Sequence, residues 1–427
     1  MEIVKLDSAQ FTEFAENTEG ALFFQSPEWI EVKRQNGWSG EILGFIQDGK
    51  IIAGTVVLFK SLPYVKIKMA YAPRGFLLDY SNFELLEEFT VKIREYLKGK
   101  GVAFLKINPY VDFRKRDING EIIENTEKTA LMEKLKELGY IHYGFYIDQD
   151  TKKDLEPRWI SVLDLKGQTM DSLYKNMRSG TKWGINNSKK NFIRLIDANE
   201  GDLTEFKNLM KHTAERRDFI DRPLSYYTQM YKVLSEKEGV RVLLAEIDFA
   251  SLLNANREAY EKNSRRLTAI EGNPKKENEA RELTSQQEVI GERIKTLEGN
   301  IAEFGERKII AGGWYMLYGK ELVYLFGASY KPFMKYNSQY LLQYEMINYA
   351  VEHGYERFNF YGIDGNFDKD SKNFGLFDFK RGFGAVVHEL IGEFDLIVDP
   401  LKYKAYNGVF AGYKLLKKVQ KAVVNRK

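Results

Sequence analysis

The 427-residue chain contains no cysteine, which excludes disulfide bonds and thiolate metal sites and is consistent with a reducing cytoplasm. Its four histidines show neither HxxxH nor HExxH spacing, so we expect no histidine-based metal site and no cofactor. No stretch approaches the roughly 18 apolar residues that a membrane span requires. The N-terminal sequence MEIVKLDSAQ carries acidic residues and no long apolar run, so it is not a secretory signal. These absences predict a cytoplasmic protein.

Acidic residues are missing from two stretches, although the net charge of the whole chain is only +3. Residues 174–194 contain basic residues and no acidic one, namely Lys175, Arg178, Lys182, Lys189, Lys190 and Arg194. From Lys402 onward the chain is again free of acidic residues, and apolar residues recur there at helical spacing. This tail is typical of a basic amphipathic helix that contacts a polyanion or an anionic membrane surface. The membrane surface would be the inner face, contacted peripherally. A helix packed on its own domain fits the pattern equally well.

The apolar content is sufficient for two or three cores, since 44% of the residues are hydrophobic and 14% are aromatic. Strand, helix and strand patterns follow one another twice in the same order, and a glycine ends the helix each time. The two copies comprise residues 65–76, 82–98 and 102–107, then residues 322–329, 338–353 and 356–363. The repeat predicts an α/β (α+β) fold with two mixed domains. A strand–helix–strand unit of this kind is the core of the acetyltransferase-like (GNAT-like) fold.

An antiparallel coiled-coil hairpin is predicted over residues 248–305, because two series of residues there follow heptad spacing. The first seam is Phe249, Leu253, Asn256, Tyr260, Asn263, Leu267 and Ile270, and the second is Leu283, Gln287, Ile290, Ile294, Leu297, Ile301 and Phe304. A fold about Lys275 places the seams face to face, with Asn263 opposite Gln287. Such an arm suits a large partner, such as a nucleic acid, a protein or a membrane surface. A spacer or dimerisation arm is the other interpretation, and the oligomeric state stays open.

Coenzyme-A users of the acetyltransferase-like fold carry a glycine-rich loop before the helix, whose backbone N–H groups hold the pyrophosphate. The corresponding residues here are 79–82 and 335–340, and neither stretch contains glycine. The sequence therefore disfavours a coenzyme-A acyl donor.

Several phrases, spread over nearly the whole chain, carry a family resemblance. They are FQSPEWIEVKRQNGW (24–38), YAPRGFLLDYSN (71–82), LKINPYV (105–111), ERRDFIDRPLSYY (215–227), YLFGAS (324–329) and NFYGIDGNFDKDSKNFGLFDFKRGFG (359–384). Together with the arm, they resemble the FemABX family of aminoacyl-tRNA-dependent peptidyltransferases. The resemblance implies transfer of glycine, alanine or serine from a charged tRNA to the side-chain amine of lysine three of a peptidoglycan precursor, or to the growing bridge. The arm resembles that of the long members, which use lipid II rather than the soluble UDP-MurNAc-pentapeptide.

The resemblance also predicts how the chain is divided. Residues 1–156 and 393–427 would form a first GNAT-like domain that includes the basic tail. Residues 157–247 and 306–392 would form a second GNAT-like domain, and residues 248–305 the arm.

Four residues are implied to bind the precursor. Lys33 stands where the family places a lysine that binds the precursor's phosphates. Arg222 and Tyr226, in Arg-x-x-x-Tyr spacing, match an arginine and a tyrosine of the same site. Arg216 is a further candidate on that segment.

Three residues are implied to lie near the reaction centre. Phe379 and Lys380 match a Phe-Lys pair and are the catalytic candidates; without the resemblance, Lys380 and Arg381 read as a solvated loop pair. Asn108, assigned to substrate binding, stands where relatives commonly carry an aspartate that was a proposed base. An asparagine does not usefully accept a proton at neutral pH, so a carboxylate base at this position is in doubt.

The implied reaction is aminolysis of an ester, and the acceptor amine must be neutral to attack. With a reference pKa of about 10.4, roughly one lysine amine in 2,500 is neutral at pH 7. A cation at Lys380 lowers the pKa of a nearby amine and stabilises the oxyanion of the tetrahedral intermediate. The proton would leave through the terminal groups of the tRNA or through water. The basic run over residues 174–194, with Trp183 and Phe192 interleaved, is a candidate tRNA contact, and a solvated face is the alternative.

Other functional classes remain open. A non-catalytic tRNA- or coiled-coil-binding protein is one, and an aminoacyl-tRNA synthetase is another, although the sequence contains no HIGH or KMSKS phrase. Four aspartates crowd one segment, namely Asp364, Asp368, Asp370 and Asp378. They lack the spacing of a calcium-binding loop, so we expect them to cap the loop or to contact the stem peptide.

Overall fold

The computed structural model of the chain describes residues 2–62, 67–124, 127–145 and 155–409. The predicted amphipathic tail falls largely on residues 410–427, outside the described residues. Within the described ranges, no helix is both long and apolar enough to cross a bilayer.

Strands and α-helices are interspersed along the described residues. The strands are β1 (Glu2–Lys5), β2 (Ser39–Gln47), β3 (Lys50–Ser61), β4 (Lys68–Ala72), β5 (Val102–Ile107), β6 (Asp112–Arg116), β7 (Ile122–Glu124), β8 (Tyr140–His142), β9 (Trp159–Asp164), β10 (Ile193–Asp197), β11 (Val240–Asp248), β12 (Arg307–Tyr318), β13 (Glu321–Ser329), β14 (Arg357–Ile363), β15 (Val386–Leu390) and β16 (Phe394–Ile397). The helices are α1 (Ser8–Glu16), α2 (Pro27–Arg34), α3 (Phe83–Gly99), α4 (Thr129–Glu137), α5 (Met170–Asn176), α6 (Ser179–Lys190), α7 (Leu203–Arg217), α8 (Leu224–Ser235), α9 (Phe249–Ile270), α10 (Glu277–Phe304), α11 (Ser338–Glu352) and α12 (Phe374–Arg381).

The first sheet has the strand order β1-β2-β3-β4-β5-β16-β8. Its neighbours are antiparallel except for β4 and β5, which are parallel and are connected through α3. The helix α3 forms because apolar residues recur every three or four positions, and the side chain of Asn82 caps its first turn. Its buried face consists of Leu86, Phe89, Thr90, Ile93 and Leu97.

The second sheet has the strand order β10-β11-β12-β13-β14-β9-β15-β6-β7. Here β13 and β14 are the parallel pair, and α11 connects them. The unit β13-α11-β14 therefore repeats the unit β4-α3-β5. The predicted repetition of a strand–helix–strand unit is confirmed, and the fold is a mixed α/β fold with two GNAT-like halves.

The chain crosses between the two sheets more than once. Strands β6 and β7 lie within the segment predicted for the first domain, yet β6 pairs with β15 of the second sheet. Strand β16 follows β15 directly and pairs with β5 and β8 of the first sheet. The predicted division at residues 156 and 393 stays a prediction, and residues 112–124 belong to the second sheet by their pairing.

Helices α9 and α10 pack side by side and run antiparallel, joined by a turn at residues 271–276. Arg257 pairs with Glu298 across the two helices at 2.6 Å. The side-chain amide of Gln287, predicted to lie opposite Asn263, donates to the hydroxyl of the adjacent residue Ser264 at 2.5 Å. At 1.5 Å per residue, helices of 22 and 28 residues extend roughly 33 and 42 Å.

The largest hydrophobic cluster joins the two halves. Phe23 and Trp29 from the first half pack in the same cluster as Tyr227, Met230 and Trp314 from the second. Helix α2 also packs directly against α8. This contact between the halves brings three of the four predicted precursor-binding residues, Lys33, Arg222 and Tyr226, close together.

Candidate active site

Lys33 lies in the last turn of α2, at the contact between the two halves. This helix begins where the Ser26 hydroxyl accepts a hydrogen bond from the backbone of Trp29 and Pro27 occupies the first turn. Trp29 is buried, and the Lys33 ammonium lies 4.5 Å from the centroid of its ring. The aromatic face holds the ammonium without neutralising its charge.

Arg222 and Tyr226 approach the same place from the start of α8. The Arg222 guanidinium carbon lies 5.5 Å from the Tyr226 ring centroid. The backbone N–H of Arg222 donates to the carboxylate of Asp221 at 2.7 Å, which fixes the residue before the helix. Arg222 itself is exposed, so its guanidinium is available to an anion.

The pKa of Lys33 reports the charges that surround it. Burial lowers this pKa first, the neighbouring Arg222 and Lys60 lower it further, and Glu156 acts in the opposite direction. Two predicted site residues, Lys33 and Arg222, thus feel each other's charge together with the carboxylate of Glu156. A phosphate group would relieve the repulsion among these cations.

Glu156 and Tyr361 connect this group of cations to the segment that carries Lys380. The Tyr361 hydroxyl donates to Glu156. Burial and the nearby Glu156 raise the pKa of Tyr361, so the hydroxyl stays protonated and keeps donating. Tyr361 has a φ of +65° at an irregularity in β14, a conformation that side chains rarely adopt.

Lys380 is buried rather than solvated. It lies in α12, its exposed fraction is 3%, and its ammonium donates to the main-chain carbonyls of Tyr361 at 3.1 Å and Gly362 at 2.6 Å. Burial lowers the pKa of Lys380 to about 7. The alternative of a solvated loop pair is wrong, because the Arg381 side chain also has partners, in Asp378 and the Ile118 carbonyl.

Phe379, the other half of the Phe-Lys pair, is half-buried on α12. Its ring packs edge-on against Tyr340 with centroids 4.9 Å apart and against Phe383 at 5.4 Å. These contacts fix the orientation of α12 and therefore of Lys380.

Asn108 is buried at the end of β5 and supports a turn of the chain. Its side-chain oxygen accepts from the backbone N–H of Arg74 at 2.8 Å and from the Tyr71 hydroxyl at 3.3 Å. Arg74 in turn donates to the carbonyl of Pro157 at 2.8 Å, next to Glu156. Asn108 therefore holds the residue that contacts the Glu156 segment.

Arg216 is the candidate that the structure does not join to this group. It lies half-buried in the last turn of α7, where burial and the neighbouring Arg217 lower its pKa. Within the described residues its Nε is buried without a hydrogen-bond partner. Its assignment to the precursor site stays a prediction.

The basic run occupies α5 and α6. Lys175 and Lys190 are exposed, whereas Arg178 pairs with Asp378 at 2.8 Å. Lys182 donates to the carbonyl of Lys175 at 2.7 Å, and the Lys189 ammonium lies 4.5 Å from the ring centroid of Tyr344. Trp183 is 63% exposed beside them. The run presents both free cations and an aromatic face, as contact with a nucleic acid requires, and its assignment to tRNA stays a prediction.

Helix α6 also covers the start of α11, where a coenzyme-A user would hold its pyrophosphate. Gly184 approaches so closely that an added Cβ would lie 2.8 Å from the Tyr340 ring. The Ser188 hydroxyl donates to the carbonyl of Tyr336 at 2.9 Å. Protein atoms thus occupy the place of the missing glycine loop.

The aspartate-rich segment caps its own backbone, which is the first of the two roles expected for it. Asp364 accepts from the N–H of Asn366 at 3.1 Å, and Asp368 accepts from the N–H of Asp370 at 3.0 Å. Asp378 instead pairs with two arginines, Arg178 and Arg381.

The sequence did not reveal Glu156, Tyr361 or Arg74 as site residues. Arg74 and Tyr361 lie inside the phrases that carry the resemblance, but no spacing rule connects them. Glu156 lies in neither a motif nor a charge run. The φ of +65° at Tyr361 has no signal in the sequence, because glycine is absent at that position.

An acetyltransferase-like sheet in each half and a basic, aromatic site between the halves define a protein of the acyltransferase class. The model of the FemAB family matches residues 6–410. Aminoacyltransferase FemA of Staphylococcus epidermidis is 32% identical over 434 residues, covering 99% of this chain and 100% of that protein. Aminoacyltransferase FemA of Staphylococcus aureus is 31% identical over 432 residues, covering 98% and 99%. The crystal structure of FemX matches with a TM-score of 0.75 at 27% identity, covering 95% of this chain and 99% of that one.

The chain therefore belongs to the FemAB family, and it is an aminoacyltransferase.

Proposed function

We propose that this enzyme transfers glycine, alanine or serine from an aminoacyl-tRNA to the side-chain amine of lysine three of a peptidoglycan precursor, or to the growing bridge. Lipid II is the proposed form of the precursor. The observation that carries the proposal is the connection through Tyr361. Its hydroxyl contacts Glu156 beside Lys33 and Arg222, and its carbonyl contacts Lys380.

The charges beside Glu156 support recognition of a diphosphate. Arg222 offers a planar fork of donors and Lys33 a point charge, and both match phosphate oxygens. Tyr226 provides an aromatic face beside Arg222. A diphosphate held here would anchor the precursor while its stem peptide extends toward Tyr361 and Lys380.

In the proposed reaction, the neutral lysine amine of the precursor attacks the carbonyl carbon of the aminoacyl ester. A C–N bond forms, the ester C–O bond to the terminal ribose of the tRNA breaks, and the amine proton passes to the leaving ribose oxygen directly or through water. The penalty for deprotonating the amine at pH 7 is roughly 4.6 kcal/mol. A dry site and a nearby cation both reduce it.

Lys380 contributes to this reaction in two ways under the proposal. When protonated, it places a positive charge in the dry interior, which favours a neutral amine and an oxyanion nearby. In either protonation state it holds the carbonyls of Tyr361 and Gly362, and with them the irregularity in β14. Asn108 contributes by positioning Arg74 rather than by accepting a proton.

The basic run on α5 and α6 is the proposed contact for the tRNA backbone. The arm is a weaker candidate on charge, since residues 249–304 contain nine basic and ten acidic residues. Among the described residues, two of the pairs join the two helices, Arg257 with Glu298 and Arg266 with Glu279. Near-neutral charge gives little attraction for phosphates.

The proposal is tested by blocking the acceptor. Lipid II with a free lysine amine should become one amino acid heavier in the presence of enzyme and charged tRNA, and the fragment masses should place the addition on the lysine side chain. Lipid II with the same amine acetylated should stay unchanged. Equal modification of both acceptors, or no modification of lipid II either with a free lysine amine or with one bridge residue already attached, would contradict the proposal. ATP–pyrophosphate exchange measured in parallel should be absent, which separates this enzyme from a synthetase.

A further inference from the structure

The loop between α7 and α8 presents three large apolar side chains to solvent. The exposed fraction is 43% for Phe219, 91% for Ile220 and 37% for Leu224. Single exposed apolar residues are common on proteins, but three within six positions form a patch that needs a partner.

The fold holds this loop in place. Helix α7 ends at Asp218, which has a left-handed φ of +56°, and the N–H of Phe219 donates to the Ala214 carbonyl at 3.2 Å. The carboxylate of Asp221 accepts from Lys207 and from the Tyr227 hydroxyl. The loop is thus anchored from below while Ile220 points outward.

The charges around the patch are mainly positive. Lys211, Arg216, Arg217 and Arg222 lie near it in the sequence, in the last two turns of α7 and in the loop. The acidic groups on the same segment are Glu215, Asp218 and Asp221. The first two are exposed, whereas Asp221 forms an ion pair with Lys207. Apolar tips surrounded by an excess of cations are complementary to an anionic lipid surface.

We infer that the loop at residues 218–224 docks into the headgroup region of an anionic bilayer. Phe219 and Ile220 enter the boundary between headgroups and acyl chains, and the arginines contact lipid phosphates. Arg222 belongs both to this loop and to the proposed diphosphate site, so docking places that site at the depth of a lipid-linked diphosphate. The inference depends on the proposed function only for that last step, because bilayer binding requires no transfer.

The absence of cysteine allows a direct test with one fluorophore at a chosen position. Ile220→Cys is labelled with nitrobenzoxadiazole and mixed with vesicles of phosphatidylcholine and phosphatidylglycerol. The matched control is Val289→Cys on the arm, another outward apolar residue with an exposed fraction of 66%. The label at position 220 should brighten and be quenched by nitroxide lipids, while the label at 289 should do neither. Vesicle binding with an unquenched label at 220, or no binding at all, would overturn the inference.

Unlabelled variants measure the two contributions separately. Replacing Phe219 and Ile220 together with serine should weaken binding to anionic vesicles by about tenfold or more, since each apolar carbon withdrawn contributes to affinity. Arg217→Ser should weaken it roughly fivefold and only when anionic lipid is present. Unchanged binding by both variants would contradict docking through this loop. The parent enzyme and both variants all contain residues 410–427. If those residues carried the binding, the variants would therefore bind vesicles as tightly as the parent enzyme.

Transfer assays separate this inference from the proposed function. The Phe219/Ile220 double variant should keep its rate on lipid II dispersed in detergent and lose rate on lipid II in vesicles. Insertion of the loop without transfer to either acceptor would remove the proposed function and leave the docking surface standing. Equal rates of the variant and the parent enzyme on lipid II in vesicles would overturn docking as a step in catalysis.

Discussion

The ammonium of Lys380 lies 3.1 Å from the main-chain carbonyl oxygen of Tyr361, and both groups are shielded from solvent in the second half of the molecule. The same tyrosine reaches across to Glu156 through its hydroxyl. A change at one end of this connection should therefore be felt at the other.

Removal of the Tyr361 hydroxyl tests the connection. Tyr361→Phe keeps the ring but leaves Glu156 without its donor, so we expect kcat/KM to fall by about tenfold and the free energy of unfolding by roughly 1–3 kcal/mol. Tyr140→Phe is the matched control, because among the described residues its hydroxyl bonds to Thr90 alone, in the first half, at 3.2 Å. The control should lose comparable stability and no activity; equal kinetics of the two variants would show that the connection has no role in transfer.

Substitution of Lys380 tests its proposed part in the reaction. Lys380→Met preserves the length of an apolar side chain but removes the charge and both hydrogen bonds. We expect kcat to fall on the order of a hundredfold, while KM for the precursor stays within a few-fold, because the loss is felt mainly where charge develops. An unchanged kcat in a folded variant would refute this role. Single-turnover measurements ensure that product release does not mask the change.

The lowered pKa of Lys380 predicts a pH dependence of stability. The folded protein releases this proton near pH 7, whereas an unfolded lysine keeps it until about pH 10.4. Between these values the unfolded state binds more protons, so stability rises with pH. The free energy of unfolding of the parent enzyme minus that of Lys380→Met should therefore increase from pH 7 to pH 10, by about 3–4 kcal/mol. A flat difference in denaturant titrations would mean that Lys380 is not buried as described.

The precursor site is tested by neighbouring residues on one helix. Lys33→Ala should raise KM for the precursor by roughly tenfold, with a smaller effect on kcat, because it removes a charge-assisted contact to phosphate. Arg34→Ala is the control, since Arg34 is the next residue and pairs with Glu31 at 2.9 Å on the exposed face. Isothermal titration with the precursor compares the affinities of the two variants, and steady-state kinetics gives KM and kcat. Equal weakening by the two variants would point to general electrostatic attraction instead of a site.

Local patterns predicted the elements more accurately than the contacts between them. The helix predicted over residues 82–98 is observed at Phe83–Gly99, because its apolar spacing and its Asn82 cap are both local features. The resemblance assigned Lys33, Arg222 and Tyr226 to one site, and the packing of α2 against α8 is the physical reason that they lie close together. Tyr361 could not be predicted, since its role depends on an irregularity in β14 and on a partner 205 residues earlier. The resemblance identified Asn108 by its position. Its hydrogen bond with the backbone N–H of Arg74, 34 residues earlier, could not be predicted from spacing.

The most direct test of the proposed function is transfer of radiolabelled amino acid from a pool of charged tRNAs to lysine-containing lipid II by the purified enzyme, with the UDP-linked pentapeptide in parallel. We expect label in lipid II, which also identifies the amino acid as glycine, alanine or serine. No label in either acceptor or in lipid II that already carries one bridge residue, with folded enzyme and every charged tRNA supplied, would contradict the proposed function.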